Sequence, residues 1–244
     1  MEIITSLDNK RIKNASRLLV KKYRDEEGKF LVEGEHLVEE AFKANLLLEV
    51  FECEDLDFKI DVPTTYVTYD VIKKLSNTVN PQKIVGVVKK MDEKELGNKL
   101  LLLDDIQDPG NLGTIIRSSL AFGVDSIVLS NNSVDLYNDK VIRSSEGMIF
   151  HLNIVRTDIK ELINKLHNEG YSIYGTRVTD GVHVDKVEVN NKYALIMGNE
   201  GNGVHEDILD MCDKYLYIPM SDKVESLNVA VATSIILYEL SKRG

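Results

Sequence analysis

Apolar residues recur along this chain in two rhythms, one helical and one alternating. Over residues 11–23 Ile12, Leu18 and Leu19 fall amid basic residues at the spacing of an amphipathic helix. Residues 30–33 read as a strand, and residues 36–44 as a helix with Val38, Ala41 and Phe42 on its apolar side. Further strands are predicted near 46–51 and 66–68, and Asp70 is placed to cap a short helix through Leu75. Residues 84–88 are almost unbroken in Ile and Val, which marks a strand buried on both faces. Together these elements predict a small α/β sandwich.

A polar stretch at residues 91–99 separates this pattern from a second one, and the division it predicts is residues 1–92 and 98–244. Beyond the linker, strands at 100–103, 126–129, 152–155, 172–175, 193–197 and 215–218 alternate with helices. Such alternation predicts a parallel sheet covered on both faces, and ligands of such sheets gather at the carboxyl ends of strands. There is no internal repeat or low-complexity tract.

Three loops at those ends carry candidate chemistry. Residues 104–113 lead into a helix containing Arg117; Pro109 and Gly110 favour a turn, and Asn111 is a candidate cap that leaves early N–H groups facing an acceptor. Residues 198–203, GNEGNG, have glycines for close backbone approach, but Val204 and His205 stand where a phosphate loop needs Lys and Ser or Thr. Neither loop has a strict GxGxxG, so nucleoside triphosphates and nicotinamide dinucleotides fit poorly, and a ligand without phosphates such as S-adenosylmethionine fits better. The third loop, residues 221–225, runs into a helix for which Ser226 is a natural N-cap. There Val229, Ala232, Thr233, Ile236, Leu237 and Leu240 recur at packing spacing. Capping and packing account for Ser226 and the stripe, but give Asn228 no role. On structural grounds alone Asn111 would be a cap and Arg117 a surface ion-pairing residue.

Charge alters the picture in one place. The 244 residues carry a formal net charge of -10, yet Lys10, Arg11, Lys13, Arg17, Lys21, Lys22 and Arg24 form a run with no acidic residue among residues 10–24. Such a run is either the solvated face of a helix or a stripe for phosphates. No apolar run is long enough for a membrane span, and residues 1–9 lack the plan of a secretory signal, so a cytoplasmic protein is expected. Cys53 and Cys212 stand apart, and His36, His151, His167, His183 and His205 are scattered, so neither a disulfide framework nor a metal site is predicted.

The runs NLGTIIR (111–117), IMGNEGNGV (196–204) and SLNVAVA (226–232) resemble, in order and spacing, the three signature motifs of SpoU/TrmH-type RNA ribose methyltransferases of the SPOUT superfamily. FLVEGEHLVEEA (30–41) is similar to the L30e-like substrate-binding domain that many of these enzymes carry, so the resemblance covers the whole chain. It implies an α/β fold with a C-terminal Rossmann-like parallel sheet threaded into a trefoil knot, preceded by a small L30e-like domain. It implies methyl transfer from S-adenosyl-L-methionine to a ribose 2′-hydroxyl of RNA, with large-subunit rRNA favoured over tRNA because of the extra domain. It also implies a homodimer whose site is completed across the interface.

By the same resemblance Arg117 activates the hydroxyl, aligned with the target nucleotide by Asn111, Glu200, Ser226 and Asn228, and Thr176, Gly198, Asn199, Gly203, Ile218 and Leu227 would contact the cofactor. The charge run, not the resemblance, makes Lys10, Arg11, Lys13, Arg17, Lys21 and Lys22 the candidates for contact with RNA phosphates. A guanidinium stays protonated in proteins, so a phosphate-anchored orienting role is physically easier than a literal base. One departure is Glu146, in YNDKVIRSSEGMIF, where relatives more often have a small or apolar residue before the glycine. Three other readings remain: a knotted methyltransferase acting on a base nitrogen, a non-catalytic RNA-binding protein, and a dinucleotide-dependent dehydrogenase.

Overall fold

In the computed structural model, which describes residues 3–56 and 58–242, the chain divides into two compact units. The first is Met1–Asp92 with Asp135–His151, the second Glu93–Val134 with Leu152–Gly244. The sequence predicts one dividing stretch; the structure adds a second exchange at residues 135–151.

The first unit runs α1 (Lys10–Arg17), α2 (Lys21–Glu27), β1 (Lys29–Glu33), α3 (Glu35–Lys43), β2 (Leu47–Cys53), β3 (Thr64–Val67), α4 (Tyr69–Lys74) and β4 (Ile84–Lys89). Its sheet has the order β1-β4-β2-β3, antiparallel except for β2 with β3. Ile12, Leu18, Phe51, Val67, Ile72 and Val85 pack into one core cluster, so the helices bury their apolar stripes on the sheet. The single helix expected over 11–23 is in fact two, because the chain turns extended at Val20 (φ -100°, ψ 128°). Arg24 is thereby turned inward, 7% exposed, donating to the carbonyls of Leu18 (3.0 Å) and Leu19 (2.8 Å) and to Asp135 (2.6 Å). A buried, paired guanidinium is not part of a basic surface, and the expectation for Arg24 is corrected accordingly. Thr68, not Asp70, occupies the N-cap of α4, and Leu37 rather than Phe42 completes the buried face of α3.

In the second unit β5 (Lys99–Leu103), α5 (Pro109–Ala121) and β6 (Ser126–Leu129) come first. α6 (Asp139–Ser144) follows within the excursion to the first unit, and β7 (Asn153–Arg156), α7 (Ile159–Asn168), β8 (Ser172–Thr176), β9 (Val182–His183), β10 (Tyr193–Met197), α8 (Glu206–Leu209), β11 (Lys214–Tyr217) and α9 (Val229–Ser241) complete the chain. The seven strands are all parallel, in the order β7-β6-β5-β10-β8-β11-β9. β5 lies inside the sheet; the chain first builds outward through β6 and β7, then crosses to the other side and inserts β10 against β5. This reversal puts a switch point at the carboxyl ends of β5 and β10, where open parallel sheets form ligand crevices. Leu100, Leu101, Leu102, Leu103, Ala194, Leu195 and Ile196 are fully buried, as strands covered on both faces require.

Residues 135–151 leave the second unit after a loop that Arg156 holds closed, its guanidinium donating to the carbonyls of Ser130 (2.7 Å), Ser133 (2.9 Å) and Val134 (2.7 Å). Within the first unit Tyr137 packs on Phe30 at 4.7 Å between ring centroids, and His151 meets Glu40 at 2.7 Å. The alternating pattern assigned this stretch to the helices of the parallel sheet. Its aromatic anchors on β1 place it with the first unit instead.

Candidate cofactor and catalytic site

The carboxyl ends of β8, β10 and β11 and the start of α9 enclose a cavity of about 690 Å³. Its walls include Thr176, Gly198, Asn199, Glu200, Gly203, Ile218, Ser226, Leu227 and Asn228, so nine of the residues singled out in the sequence share one wall. Asn111 and Arg117 are not among its lining residues.

The loop after β10 is closed by its own backbone. Asn199 and Gly203 exchange N–H···O bonds of 2.9 and 3.0 Å, and Gly203 sits at φ +72°. A Cβ on Gly198 would lie 2.0 Å from the Gly203 carbonyl carbon and from the Val204 nitrogen, so only glycine fits there. The Asn199 side chain accepts from Gly201 N (2.8 Å) and donates to the carbonyl of Asp105 (2.8 Å), fastening this loop to the one after β5. Thr176 donates to the carbonyl of Ile196 (2.9 Å) from the end of β8.

Asn111 does not cap α5. Asp108 does, accepting from Asn111 N at 2.8 Å, with Pro109 in the first helical position. The Asn111 side chain is thereby released for a network linking all three loops: its Nδ2 donates to Glu200 Oε1 (3.0 Å), and its Oδ1 accepts from Asn228 Nδ2 (2.9 Å). Glu200 also accepts the backbone N–H groups of Gln107 (3.2 Å) and Asp108 (3.1 Å). Partial burial pushes the Glu200 carboxyl up, but the hydrogen bonds from Asn111 and from backbone amides outweigh it and hold it below the ordinary value. Asn228, not Ser226, is the N-cap of α9, accepting from Ala230 N (2.9 Å) and Val231 N (3.3 Å). The side-chain oxygen of Asn228 caps the helix while its nitrogen fixes Asn111. Ser226 is exposed two residues earlier on the cavity wall.

Arg117 is exposed on α5, and its side chain has no hydrogen bond or ion pair among the described residues. The helix carrying it lies beside α9, joined by Ser118 and Ser234 (2.7 Å) and by the rings of Phe122 and Tyr238 (5.7 Å). On α9 Val231 and Tyr238 remain about half exposed, at 48% and 49%, one and two turns along an outward stripe with the part-exposed Ile235.

Two features escaped the sequence reading. Asp104, 2% exposed at the end of β5, accepts both His205 N (2.9 Å) and His205 Nδ1 (2.8 Å), which raises the imidazole above its ordinary value. Asp104, Asp105 and His205 bring their ligand atoms within 4.8 Å of one another, but Asp105 is already engaged by Ser130 (2.6 Å) and Asn132 (3.3 Å). The cluster is an internal fastening of two loops. The second feature is Arg177, which follows β8 and lines the cavity.

The basic run is largely neutralised by its surroundings in the first unit. Arg11 pairs with Glu49 (2.8 Å), Lys13 with Asp8 (2.8 Å), Arg17 with Glu27 (3.9 Å), Lys21 with Asp25 (2.5 Å) and Lys22 with Glu26 (3.8 Å). Lys10 has no such partner among the described residues. Glu146 adopts φ +51° just before Gly147 at φ +78°, and its carbonyl lies 3.2 Å from His36 Nε2. Among the described residues no helix is long and apolar enough to cross a membrane.

Residues 98–238 match the model of the SpoU rRNA Methylase family, and residues 9–86 that of the MRM3-like substrate binding domain. The chain is 38% identical to the 23S rRNA (guanosine(2553)-2′-O)-methyltransferase RlmP of Bacillus subtilis, covering 98% of this chain and 99% of that protein. The structure is similar to the AdoMet-bound rRNA methyltransferase of Sinorhizobium meliloti (TM-score 0.86, 27% identity, 99% of this chain and 97% of that one). It is also similar to the SpoU methyltransferase AviRb of Streptomyces viridochromogenes in complex with AdoMet (TM-score 0.85, 25% identity, 96% and 98%).

Proposed function

This chain belongs to the SpoU rRNA methylase family, and from that premise we propose that it transfers the methyl group of S-adenosylmethionine to a ribose 2′-hydroxyl of large-subunit ribosomal RNA. The observation that carries the reading is the Glu200–Asn111–Asn228 chain, which ties three separate loops together beside the cavity. The full-length relative that methylates a ribose hydroxyl favours this reading over a base-nitrogen methyltransferase, a bare RNA-binding module or a dehydrogenase. The guanosine methylated by the B. subtilis relative is the first substrate to test.

The cavity suits the cofactor on its own terms. At about 690 Å³ it has the size of a small-molecule site, and its glycine-rich wall offers backbone groups where side chains are excluded. The cofactor would supply a methyl group bonded to a positively charged sulfur, open to in-line displacement. Thr176, Gly198, Asn199, Gly203, Ile218 and Leu227 would hold it, and the closed 198–204 loop would exclude water beside it.

The rest of the work is positioning. A ribose hydroxyl held in line gains from lost translational and rotational freedom alone. Arg117 anchors the adjoining phosphate and orients the hydroxyl, while Glu200, Asn111, Ser226 and Asn228 align the nucleotide. As the hydroxyl takes the methyl group, its proton would pass to solvent or to a phosphate oxygen that Arg117 holds in place. Among the described residues Arg117 has no hydrogen-bond or ion-pair partner and is absent from this chain's own cavity wall, which supports a homodimer in which each copy supplies Arg117 to the other's site. The outward Val231, Ile235 and Tyr238 stripe on α9 supports the same reading. The insertion of β10 between β5 and β8, with Asn199 fastened to Asp105, supports a knotted C-terminal part.

RNA phosphates would be met by Lys10 and by Arg11, Lys13, Arg17, Lys21 and Lys22 on exchange of their exposed pairs, since such pairs are worth little in water. Purified protein with methyl-labelled S-adenosylmethionine and rRNA tests the reaction. A 2′-O-methyl group blocks alkaline cleavage of its own phosphodiester, so the label is expected in alkali-resistant dinucleotides. Label released wholly in mononucleotides would contradict the ribose assignment.

A further inference from the structure

Among the residues lining the cavity, Arg177 is the one with a cationic side chain; the acidic ones are Asp180, Glu200 and Glu206. Its backbone is fixed, with Arg177 N donating to the carbonyl of Leu216 at 3.0 Å. Its guanidinium lies over the Tyr215 ring, 4.1 Å from the centroid, and Nη2 reaches Glu206 at 3.3 Å. This cation–π contact holds the guanidinium beside the ring and leaves most of its five donors available to a planar acceptor. The Glu206 side chain is 82% exposed, so that pair is held weakly and exchanges readily.

We propose that Arg177 binds the carboxylate of the cofactor's amino-acid tail, with Glu206 serving as its resting counter-ion. The proposal rests on the cofactor assignment made above and deepens it. S-adenosylmethionine carries two cationic groups and one carboxylate. The acidic wall suits the sulfonium and the ammonium, whereas the carboxylate needs the single cation the cavity offers. Fork-to-carboxylate bonding is also directional, so it would fix the tail and with it the line along which the methyl group leaves. Arg177 is thus a binding residue that sets cofactor orientation, and nothing in the three signature runs points to it.

The test is calorimetric titration of wild type, Arg177→Gln and Arg177→Lys with four ligands. These are S-adenosylmethionine, S-adenosylhomocysteine, decarboxylated S-adenosylmethionine and 5′-methylthioadenosine, which lacks the tail. Arg177→Gln should weaken the first two by about tenfold to a hundredfold, the range of one charge-assisted contact. The same variant should leave the other two within about twofold of wild type, and Arg177→Lys should fall between. Normal binding of S-adenosylmethionine by Arg177→Gln would overturn the proposal, as would an equal loss for 5′-methylthioadenosine, which would mark a structural role. A loss confined to RNA binding would assign Arg177 to phosphate instead and overturn it too. Wild-type protein that binds none of the four would overturn the cofactor reading itself, a result distinct from failure at Arg177 alone.

Discussion

Replacing Gly198 by alanine tests whether the loop after β10 must be closed for the cofactor to bind. The added Cβ would lie 2.0 Å from two backbone atoms, Gly203 C and Val204 N, where an ordinary contact is about 3.5 Å. The loop must therefore move by about 1.5 Å, more than the Asn199–Gly203 bonds of 2.9 and 3.0 Å can stretch and survive. Two lost backbone hydrogen bonds cost about 1 kcal/mol each, and overpacking adds about 1–3 kcal/mol. The sum is about 3–5 kcal/mol, charged either to the folded state or to reclosing the loop around the ligand. At about 1.4 kcal/mol per tenfold, cofactor affinity should fall at least a hundredfold. If the loss appears in global unfolding, Tm should drop by roughly 6–20 °C, at about 2–4 °C per kcal/mol for a chain of this size. Titration calorimetry and a melting curve on the same protein read both. Gly198→Ala with wild-type affinity and an unchanged Tm would refute the claim that the tight backbone approach matters.

Other outcomes follow from the same geometry. Arg117→Ala should abolish methyl transfer while S-adenosylmethionine affinity stays within about threefold, because the residue has no partner among the described residues and no place on the cavity wall; near-normal turnover would sink its role. Asn228→Asp keeps a capping oxygen for Ala230 and Val231 but loses the donor to Asn111, so Tm should hold while activity falls. Asn228→Ala should lose both, with about 1 kcal/mol of stability. His205 has a folded pKa raised by Asp104, so its stabilisation is full below the unfolded value of about 6.5 and is lost as pH rises through the folded value. The Tm gap between wild type and His205→Gln should therefore be widest at acid pH and narrow in alkali; a gap constant with pH would contradict this. Arg156→Ala removes the donor that gathers the carbonyls of Ser130, Ser133 and Val134, and should lower Tm measurably without changing cofactor affinity.

The parallel sheet was legible because β5 and β10 are so fully buried that their sequences carry almost no polar residue. Glycines and asparagines at strand ends are common caps and turns, so the three loops were legible only together, as the runs at 111–117, 196–204 and 226–232 in the order and spacing of a known family. What the sequence hid was which of two neighbours takes a given hydrogen bond. Asp108 and Asn111 can both cap α5, as can Ser226 and Asn228 for α9. Only the packed structure shows that Asp108 and Asn228 do so, leaving Asn111 free to meet Glu200 and Asn228. Long-range pairing was equally hidden. Nothing local in the run from Lys10 shows that Glu49 answers Arg11, or that Arg24 turns inward to Asp135. The excursion at residues 135–151 was missed because an amphipathic helix does not declare which sheet its apolar side will meet.

Nucleoside mass spectrometry of ribosomal RNA from cells lacking this gene, rescued by wild type or by Arg117→Ala, reads ribose methyl transfer itself. One 2′-O-methylated nucleoside of large-subunit rRNA should be lost, and restored by the wild type but not by the variant. Unchanged ribose methylation, or loss of a base-methylated nucleoside in its place, would contradict it.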